Sequence, residues 1–134
     1  MRADFSHNHW IMIAIYHNPR CSKSRGALEL AQQFATQHGI ELSIVDYQKT
    51  PLTVAQLQAL YQTLKTTGDI EVSDMVRDGE DSYATLNLAN ADDATLFDAI
   101  AAHPILLQRP IVTFNGRGII ARPPELVDQV LIAP

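Results

Sequence analysis

The sequence of 134 residues contains a single cysteine, Cys21. One thiol cannot form an internal disulfide, and a structural zinc site needs more cysteines than this chain has. No apolar run approaches the roughly 20 residues of a membrane-spanning helix, so no membrane partner is expected. Residues 1–10 also lack the basic-then-apolar pattern of a secretory signal. These absences favour a reducing cytoplasm as the location.

Positive charge is also scarce, with 10 Lys and Arg against 15 Asp and Glu and a formal net charge of -5. This balance is against a nucleic-acid partner. The hydrophobic fraction of 46% is that of an ordinary globular protein. We predict one domain over residues 12–134, preceded by a flexible extension over residues 1–11. That extension contains His7 and His9, which we interpret as solvated, so no metal site is predicted.

What the sequence does contain is a cluster of cationic and polar residues around Cys21, over residues 17–25. A β-like run over residues 13–16 precedes it, and a helical pattern follows from about Ser24. Cys21 is therefore predicted in a strand-to-helix turn, at or just before a helix N-terminus, where the free backbone N–H groups favour an anion. Such a setting can lower the pKa of a thiol from about 8.5 to roughly 3.5–7.5. We interpret Cys21 as a nucleophile rather than as a small buried hydrophobe.

The hydrophobic periodicity predicts a β-α-β start, a helical section, a β-hairpin and a closing helix. The predicted elements are strands at 11–16 and 40–47, helices at 24–38, about 53–68, 73–77 and 91–102, strands at 111–114 and 118–121, and a helix from Pro123. A β-α-β unit requires parallel strands, whereas a hairpin is antiparallel. We therefore predict an α/β fold with a mixed four-stranded sheet flanked by helices, the thioredoxin-like arrangement, with a helical insertion at about 53–103. The acidic residues 78–81 are predicted to form a solvated turn.

The spacing around Cys21 excludes two common kinds of thiol chemistry. A cysteine phosphatase needs an arginine six positions after its nucleophile, where this chain has Ala27. A dithiol redox site needs Cys-x-x-Cys, and the second position is Ser24. The remaining possibility is a thiolate that depends on an external thiol.

Arg109 and Arg122 flank the predicted hairpin, and each stands before a proline. Guanidinium groups bind tetrahedral oxyanions through paired hydrogen bonds. The alternative is that both arginines are surface charges or carboxylate partners. His17 also has two interpretations: it supports the Cys21 thiolate, or it shapes the turn.

Three motifs together carry a resemblance that extends from about residue 13 to residue 131. They are Ile15-Tyr16-His17-Asn18-Pro19-Arg20-Cys21, then His103-Pro104-Ile105-Leu106 with Arg109-Pro110-Ile111-Val112, and finally Arg122-Pro123-Pro124. The chain resembles the glutaredoxin-coupled arsenate reductase family. Within that family it is similar to the branch with Cys-Ser-Lys-Ser after His-Asn-Pro.

The resemblance implies a thioredoxin-like fold and an arsenate reductase in which the matched cysteine attacks arsenate and three arginines bind the oxyanion. These arginines fall on Arg77, Arg109 and Arg122, and the catalytic set would be Cys21 with His17 and Ser24. Glutathione would be the co-substrate, glutaredoxin would clear the mixed disulfide, and no cofactor would stay bound.

The resemblance also implies a cis bond before Pro110, because thioredoxin-like folds place a cis-proline opposite the active cysteine. Two alternative functions remain. One is a thiol oxidoreductase acting on glutathionylated or oxidised partners, and the other is a non-catalytic, protein-binding regulator of the same fold.

Overall fold

The computed structural model describes residues 12–133 of the chain. The extension predicted over residues 1–11, with its two histidines, lies outside the described residues. At the centre is a four-stranded sheet in the order β2-β1-β3-β4. The strands are β1 Ile13–Tyr16, β2 Leu42–Val45, β3 Ile111–Phe114 and β4 Arg117–Ile120. β1 is parallel to β2 and antiparallel to β3, and β3 and β4 form a hairpin, so the predicted mixed sheet is confirmed.

Helices connect and cover these strands. The α-helices are α1 Ser22–His38, α2 Val54–Leu64, α3 Asp81–Thr85 and α4 Asp93–Ala102. Short 3-10 helices occupy Val72–Met75, Leu88–Asn90, Pro104–Leu106 and Pro124–Gln129. All elements between β2 and β3 are helical, as predicted for the insertion. No helix among residues 12–133 combines the length and the apolar character that crossing a membrane requires.

Each face of the sheet has its own buried cluster. On one face the small residues Ala27, Ala31 and Ala35 of α1 pack close to the strands. The other residues of this cluster are Ile13, Ile15, Val112, Phe114, Ala121, Val127 and Val130. On the other face, α2, α4 and the 3-10 helices bury a larger cluster that includes Tyr47, Leu57, Met75, Phe97, Leu106 and Ile111. Alternating side chains on β1 and β3 supply both faces, as the period of two in a strand requires.

The helix ends follow from local sequence. α1 stops at Gly39, whose φ of 65° is a left-handed conformation that glycine adopts without steric cost. α2 starts at a capping box, in which the Gln56 N–H donates to Thr53 Oγ1 and the Thr53 N–H donates to Gln56 Oε1. The spacing of the two residues in the sequence is that of a capping box.

Four sequence predictions need correction. α1 begins at Ser22 rather than near Ser24, because Cys21 itself has the extended backbone of an N-cap. The acidic residues 78–81 do not form only a turn, since α3 begins at Asp81, where a carboxylate favours a helix N-terminus. The segments predicted as helices at 73–77 and after Pro123 are 3-10 rather than α. Pieces this short are typical of 3-10 geometry.

Candidate active site

Cys21 lies between the end of β1 and the start of α1, in a turn fixed by its own backbone. The Cys21 N–H donates to the Asn18 carbonyl oxygen at 3.0 Å, and the Arg20 N–H donates to Asn18 Oδ1 at 3.0 Å. Arg25 Nη1 donates to the Pro19 carbonyl oxygen at 3.0 Å. These bonds hold the cysteine at the position where the first N–H groups of α1 point, as the sequence predicted.

The Cys21 thiol is partly exposed and its pKa is about 7, below the ordinary value. Burial raises this pKa. The backbone N–H groups of Ser24 and Lys23 outweigh that effect, helped by the Arg109 charge and the Ser24 hydroxyl. About half of the thiol is therefore ionised at neutral pH, and the thiolate is the nucleophilic form.

Ser24 is fully buried within the first turn of α1. Its Oγ accepts a hydrogen bond from the Asn18 N–H at 3.4 Å, which leaves the hydroxyl proton free for another acceptor. The hydroxyl lowers the pKa of Cys21, so it stands where it can donate to the thiolate. Ser24 can thus stabilise a charged sulfur, although it cannot replace a second thiol.

His17 is 8% exposed, and its Nδ1 has no hydrogen-bond partner within residues 12–133. Burial lowers the pKa of His17, against an opposing effect of the Asp46 carboxylate. The imidazole is accordingly neutral at neutral pH, and it is not among the groups that lower the pKa of Cys21. This geometry favours an indirect role for His17, in the packing behind the turn.

Two arginines from the far end of the sequence meet Cys21. Arg122 Nη1 is 3.9 Å from Cys21 Sγ, and the same Nη1 donates to the Arg109 carbonyl oxygen at 2.8 Å. Nε and Nη1 of Arg109 are buried and have no partner among the described residues. A buried guanidinium with free donors is costly, so this site is suited to an anionic acceptor.

The ends of the β3–β4 hairpin bring these arginines together. Arg109 lies two residues before β3 and Arg122 two residues after β4. The Ala121 N–H extends the pairing of the two strands by donating to the Pro110 carbonyl oxygen at 2.9 Å. The Arg109–Pro110 bond is cis, which confirms the prediction. The Arg122–Pro123 bond is also cis, which was not predicted.

Arg77 is placed differently from the other two arginines. Its backbone N–H donates to the Leu106 carbonyl oxygen at 2.8 Å, which ties it to the segment leading to Arg109. Its guanidinium, however, forms an ion pair with Glu80, with 2.6 Å between Nη1 and Oε2. The structure thus brings Cys21, Ser24, Arg109 and Arg122 together, whereas the Arg77 side chain is held by Glu80.

Residues that the sequence analysis missed lie next to the turn. Asp46, Gln48 and Lys49 follow β2 and share a cavity with residues 17–20. The parallel pairing of β1 with β2 could have indicated them, because the carboxyl ends of parallel strands meet at one edge of the sheet. Within residues 12–133, no group of three or more His, Cys, Asp or Glu side chains could hold a metal ion.

Comparison with known proteins agrees with this geometry. The ArsC family model matches residues 16–130. The chain belongs to the ArsC family. An arsenate reductase of Neisseria meningitidis is 41% identical over 121 residues, which cover 89% of this chain and 97% of the relative. The uncharacterised protein YfgD of Escherichia coli is 40% identical, with 89% and 96% covered.

Solved structures place the ArsC chain in the same group. An arsenate reductase from Vibrio cholerae superimposes with a TM-score of 0.77 at 41% identity, covering 90% of this chain and 98% of that one. The thioredoxin-like α/β fold predicted from the sequence is therefore confirmed. By sequence and by structure the chain is a member of an arsenate reductase family, whose activity is an oxidoreduction.

Proposed function

We propose that this ArsC chain reduces arsenate to arsenite through a covalent Cys21 intermediate, with glutathione as co-substrate and glutaredoxin as the regenerating partner. One observation carries the proposal. A partly exposed thiol with a pKa of about 7 has the Arg122 Nη1 at 3.9 Å from its sulfur, and the charge of Arg109 lowers its pKa. Arg109 also has two buried donors that need an acceptor. A nucleophile beside an empty anion site suits attack on an oxyanion.

In the first step Arg109 and Arg122 bind the arsenate oxygens, and the Cys21 thiolate attacks arsenic. An S–As bond forms, and one As–O bond breaks as that oxygen leaves, protonated to water. Arg122 suits this step because its Nη1 is already 3.9 Å from Sγ, so an arsenic bonded to that sulfur would carry its oxygens next to the guanidinium. Two positive groups also stabilise the charge that collects on those oxygens.

In the second step the glutathione thiolate attacks the Cys21 sulfur. The S–As bond breaks, arsenic keeps its electron pair and leaves as arsenite, and Cys21 and glutathione remain as a mixed disulfide. Arsenic is reduced by two electrons, and the two sulfurs are oxidised together. Ser24 cannot take the place of the incoming thiol, because a hydroxyl is not nucleophilic enough at neutral pH.

In the third step a glutaredoxin thiolate attacks the glutathione sulfur, and Cys21 leaves as a thiolate. A thiol of lower pKa leaves faster, so the same backbone N–H groups that prepare the nucleophile also favour its release. Glutathione and glutaredoxin act in reducing compartments, and we therefore propose the cytoplasm as the location. No cofactor stays bound in this cycle.

The supporting residues have smaller roles in the proposal. Ser24 stabilises the Cys21 thiolate, and His17 packs behind the turn. Arg77 becomes the third oxyanion-binding arginine when its guanidinium leaves the ion pair with Glu80 and binds arsenate instead. Because Ser22-Lys23-Ser24 follows the cysteine, we propose that the chain belongs to the Cys-Ser-Lys-Ser branch of the family.

A coupled assay tests the proposal. The protein is mixed with arsenate, glutathione, glutaredoxin, glutathione reductase and NADPH, and we expect NADPH oxidation that requires every component. Thioredoxin in place of glutathione and glutaredoxin should not support turnover. If a folded protein oxidises no NADPH with arsenate but turns over glutathionylated partners, the chain is a thiol oxidoreductase and the proposal is wrong.

A further inference from the structure

A polar cavity of about 300 Å³ lies beside the Cys21 turn. We call it the loop pocket. Residues 17–20 form one side, and Asp46, Gln48 and Lys49, which follow β2, form the other. Small-molecule sites in proteins begin at about this volume. Neither Arg109 nor Arg122 lines the loop pocket, so an oxyanion held by those arginines would not occupy it.

The charges that line the loop pocket have no partners of their own. Arg20 and Lys49 are exposed, and the one ion pair within residues 12–133 is elsewhere, between Arg77 and Glu80. Asp46 is half-buried and fixed, because its Oδ1 accepts a hydrogen bond from the Lys49 N–H at 3.3 Å. The pocket therefore presents two free cations and one positioned carboxylate.

The inner wall of the loop pocket is the nearly buried ring of His17. Asn18 and Gln48 add amide groups, which can pair with a peptide backbone. A ligand that fits this lining has two carboxylates, one ammonium group and peptide bonds.

We propose that the loop pocket binds glutathione, with Arg20 and Lys49 binding its two carboxylates and Asp46 its ammonium group. This inference rests on the proposed function, in which glutathione must reach the Cys21 sulfur. Glutathione is a tripeptide with these charged groups at its two ends and its thiol in the middle.

The loop pocket ends at Arg20, the residue next to Cys21, although Cys21 itself does not line it. Arg20 and Cys21 are consecutive residues, so their Cα atoms are about 3.8 Å apart. A tripeptide spans about 10 Å when extended. Glutathione held at its ends by Arg20 and Lys49 can therefore bring its central sulfur to Cys21 while arsenic occupies the side with Arg109 and Arg122.

The test needs no arsenic. The Cys21 thiolate attacks oxidised glutathione, a Cys21–glutathione disulfide forms, and one glutathione thiolate leaves, which mass spectrometry can follow. Two further disulfides serve as probes: bis(2-hydroxyethyl) disulfide, which is uncharged, and 3,3′-dithiodipropionate, which is anionic but is no peptide. The test variant is Arg20→Gln with Lys49→Gln. The matched control is Lys65→Gln with Arg117→Gln, which removes two exposed cations outside the loop pocket.

We expect the test variant to react with oxidised glutathione about tenfold more slowly, as the loss of two exposed charge pairs predicts. Its rate of reaction with the uncharged disulfide should not change, because the thiolate itself is intact. Its rate with dithiodipropionate should fall only about twofold. The control variant should match the wild type with all three probes. Every rate is measured on the full chain at one ionic strength.

Three results would overturn the inference. Equal losses with oxidised glutathione and dithiodipropionate would mean general charge attraction without a binding site. An unchanged rate of the test variant with oxidised glutathione would mean that glutathione does not bind in the loop pocket. A loss seen only when glutaredoxin removes the mixed disulfide would assign Arg20 and Lys49 to the protein partner. An inactive arsenate assay leaves all these rates measurable, so failure of the proposed function is recognised separately.

Discussion

The candidate site consists of two halves that the chain builds in different ways. The nucleophile half is the turn at residues 18–25, whose side-chain hydrogen bonds join residues no more than six positions apart. The arginine half depends on Arg122, which reaches Cys21 from 101 positions further along the chain. Arg109 is linked to Arg122, because the Arg122 guanidinium donates a hydrogen bond to the Arg109 carbonyl oxygen.

This difference separates the two tasks of the site. The pKa of Cys21 is lowered first by the N–H groups of Ser24 and Lys23, which are part of the local turn, and then by Arg109. The proposed binding of an oxyanion, in contrast, depends on guanidinium groups that only the folded sheet brings near the sulfur. Damage to the arginine half should therefore weaken substrate binding while a reactive thiolate remains.

The largest expected effect comes from removing the nucleophile. Cys21→Ser should lower turnover in the coupled assay by at least about a thousandfold, because a hydroxyl is almost never ionised at neutral pH. The circular dichroism spectrum and the melting temperature should stay close to those of the wild type. Substantial arsenate reduction by folded Cys21→Ser protein would show that the nucleophile half is not where the chemistry occurs.

The next largest effect should come from the arginine half. Arg109→Lys and Arg122→Lys should each lower kcat/KM for arsenate about tenfold, since lysine keeps the charge but loses the planar pair of donors. Arg122→Lys should have the larger effect, because it also loses the hydrogen bond to the Arg109 carbonyl oxygen.

Alkylation of Cys21 by iodoacetamide distinguishes the two halves in these variants. Its rate at pH 7 should change little, because the nearby positive charge remains. Arg117→Lys, at the other end of the hairpin, is the matched control. Unchanged saturation with arsenate in both arginine variants would mean that Arg109 and Arg122 are structural.

A smaller effect should show how much the Ser24 hydroxyl, as opposed to the backbone N–H groups, lowers the pKa of Cys21 in the nucleophile half. The alkylation rate of the wild type should rise with pH and be half-maximal at pH about 7. Ser24→Ala removes a hydroxyl that lowers this pKa, so its midpoint should lie at higher pH and its rate at pH 7 should be about two- to threefold lower. Above pH 9.5 both thiols are ionised and the two rates should agree. Identical profiles would assign Ser24 a packing role alone.

The smallest effect concerns Arg77, which belongs to neither half in this structure. Glu80→Gln should release its guanidinium and lower the KM for arsenate about twofold, whereas Arg77→Gln should raise the KM. The cost in stability of Glu80→Gln should stay within about 1 kcal/mol, as for a solvent-accessible pair. An unchanged KM in both variants would remove Arg77 from the oxyanion site.

Most of the fold could be predicted from the sequence, because local sequence patterns indicate where its helices and strands begin and end. The apolar run at residues 111–114 followed by Asn115-Gly116 is a hairpin signal in the sequence, and the Thr53–Gln56 spacing is that of a capping box at the start of α2. Whether a helix is α or 3-10 could not be predicted as well. The segment after Pro123 has apolar residues at helical spacing, but it is short and packs as a 3-10 helix, which the periodicity does not distinguish from an α-helix.

The sequence by itself determined the nucleophile half and its chemistry. A lone cysteine before a helix start predicts a thiolate, and Ser24 at the next possible thiol position predicts dependence on an external thiol. Only the tertiary structure decided which arginines surround that thiolate. A guanidinium pairs with whatever acceptor packing brings within reach, and here the hairpin ends bring Arg122 to Cys21, while Glu80, three positions away, holds Arg77. The partners of a long charged side chain are set by distances in space, which its position in the sequence does not contain.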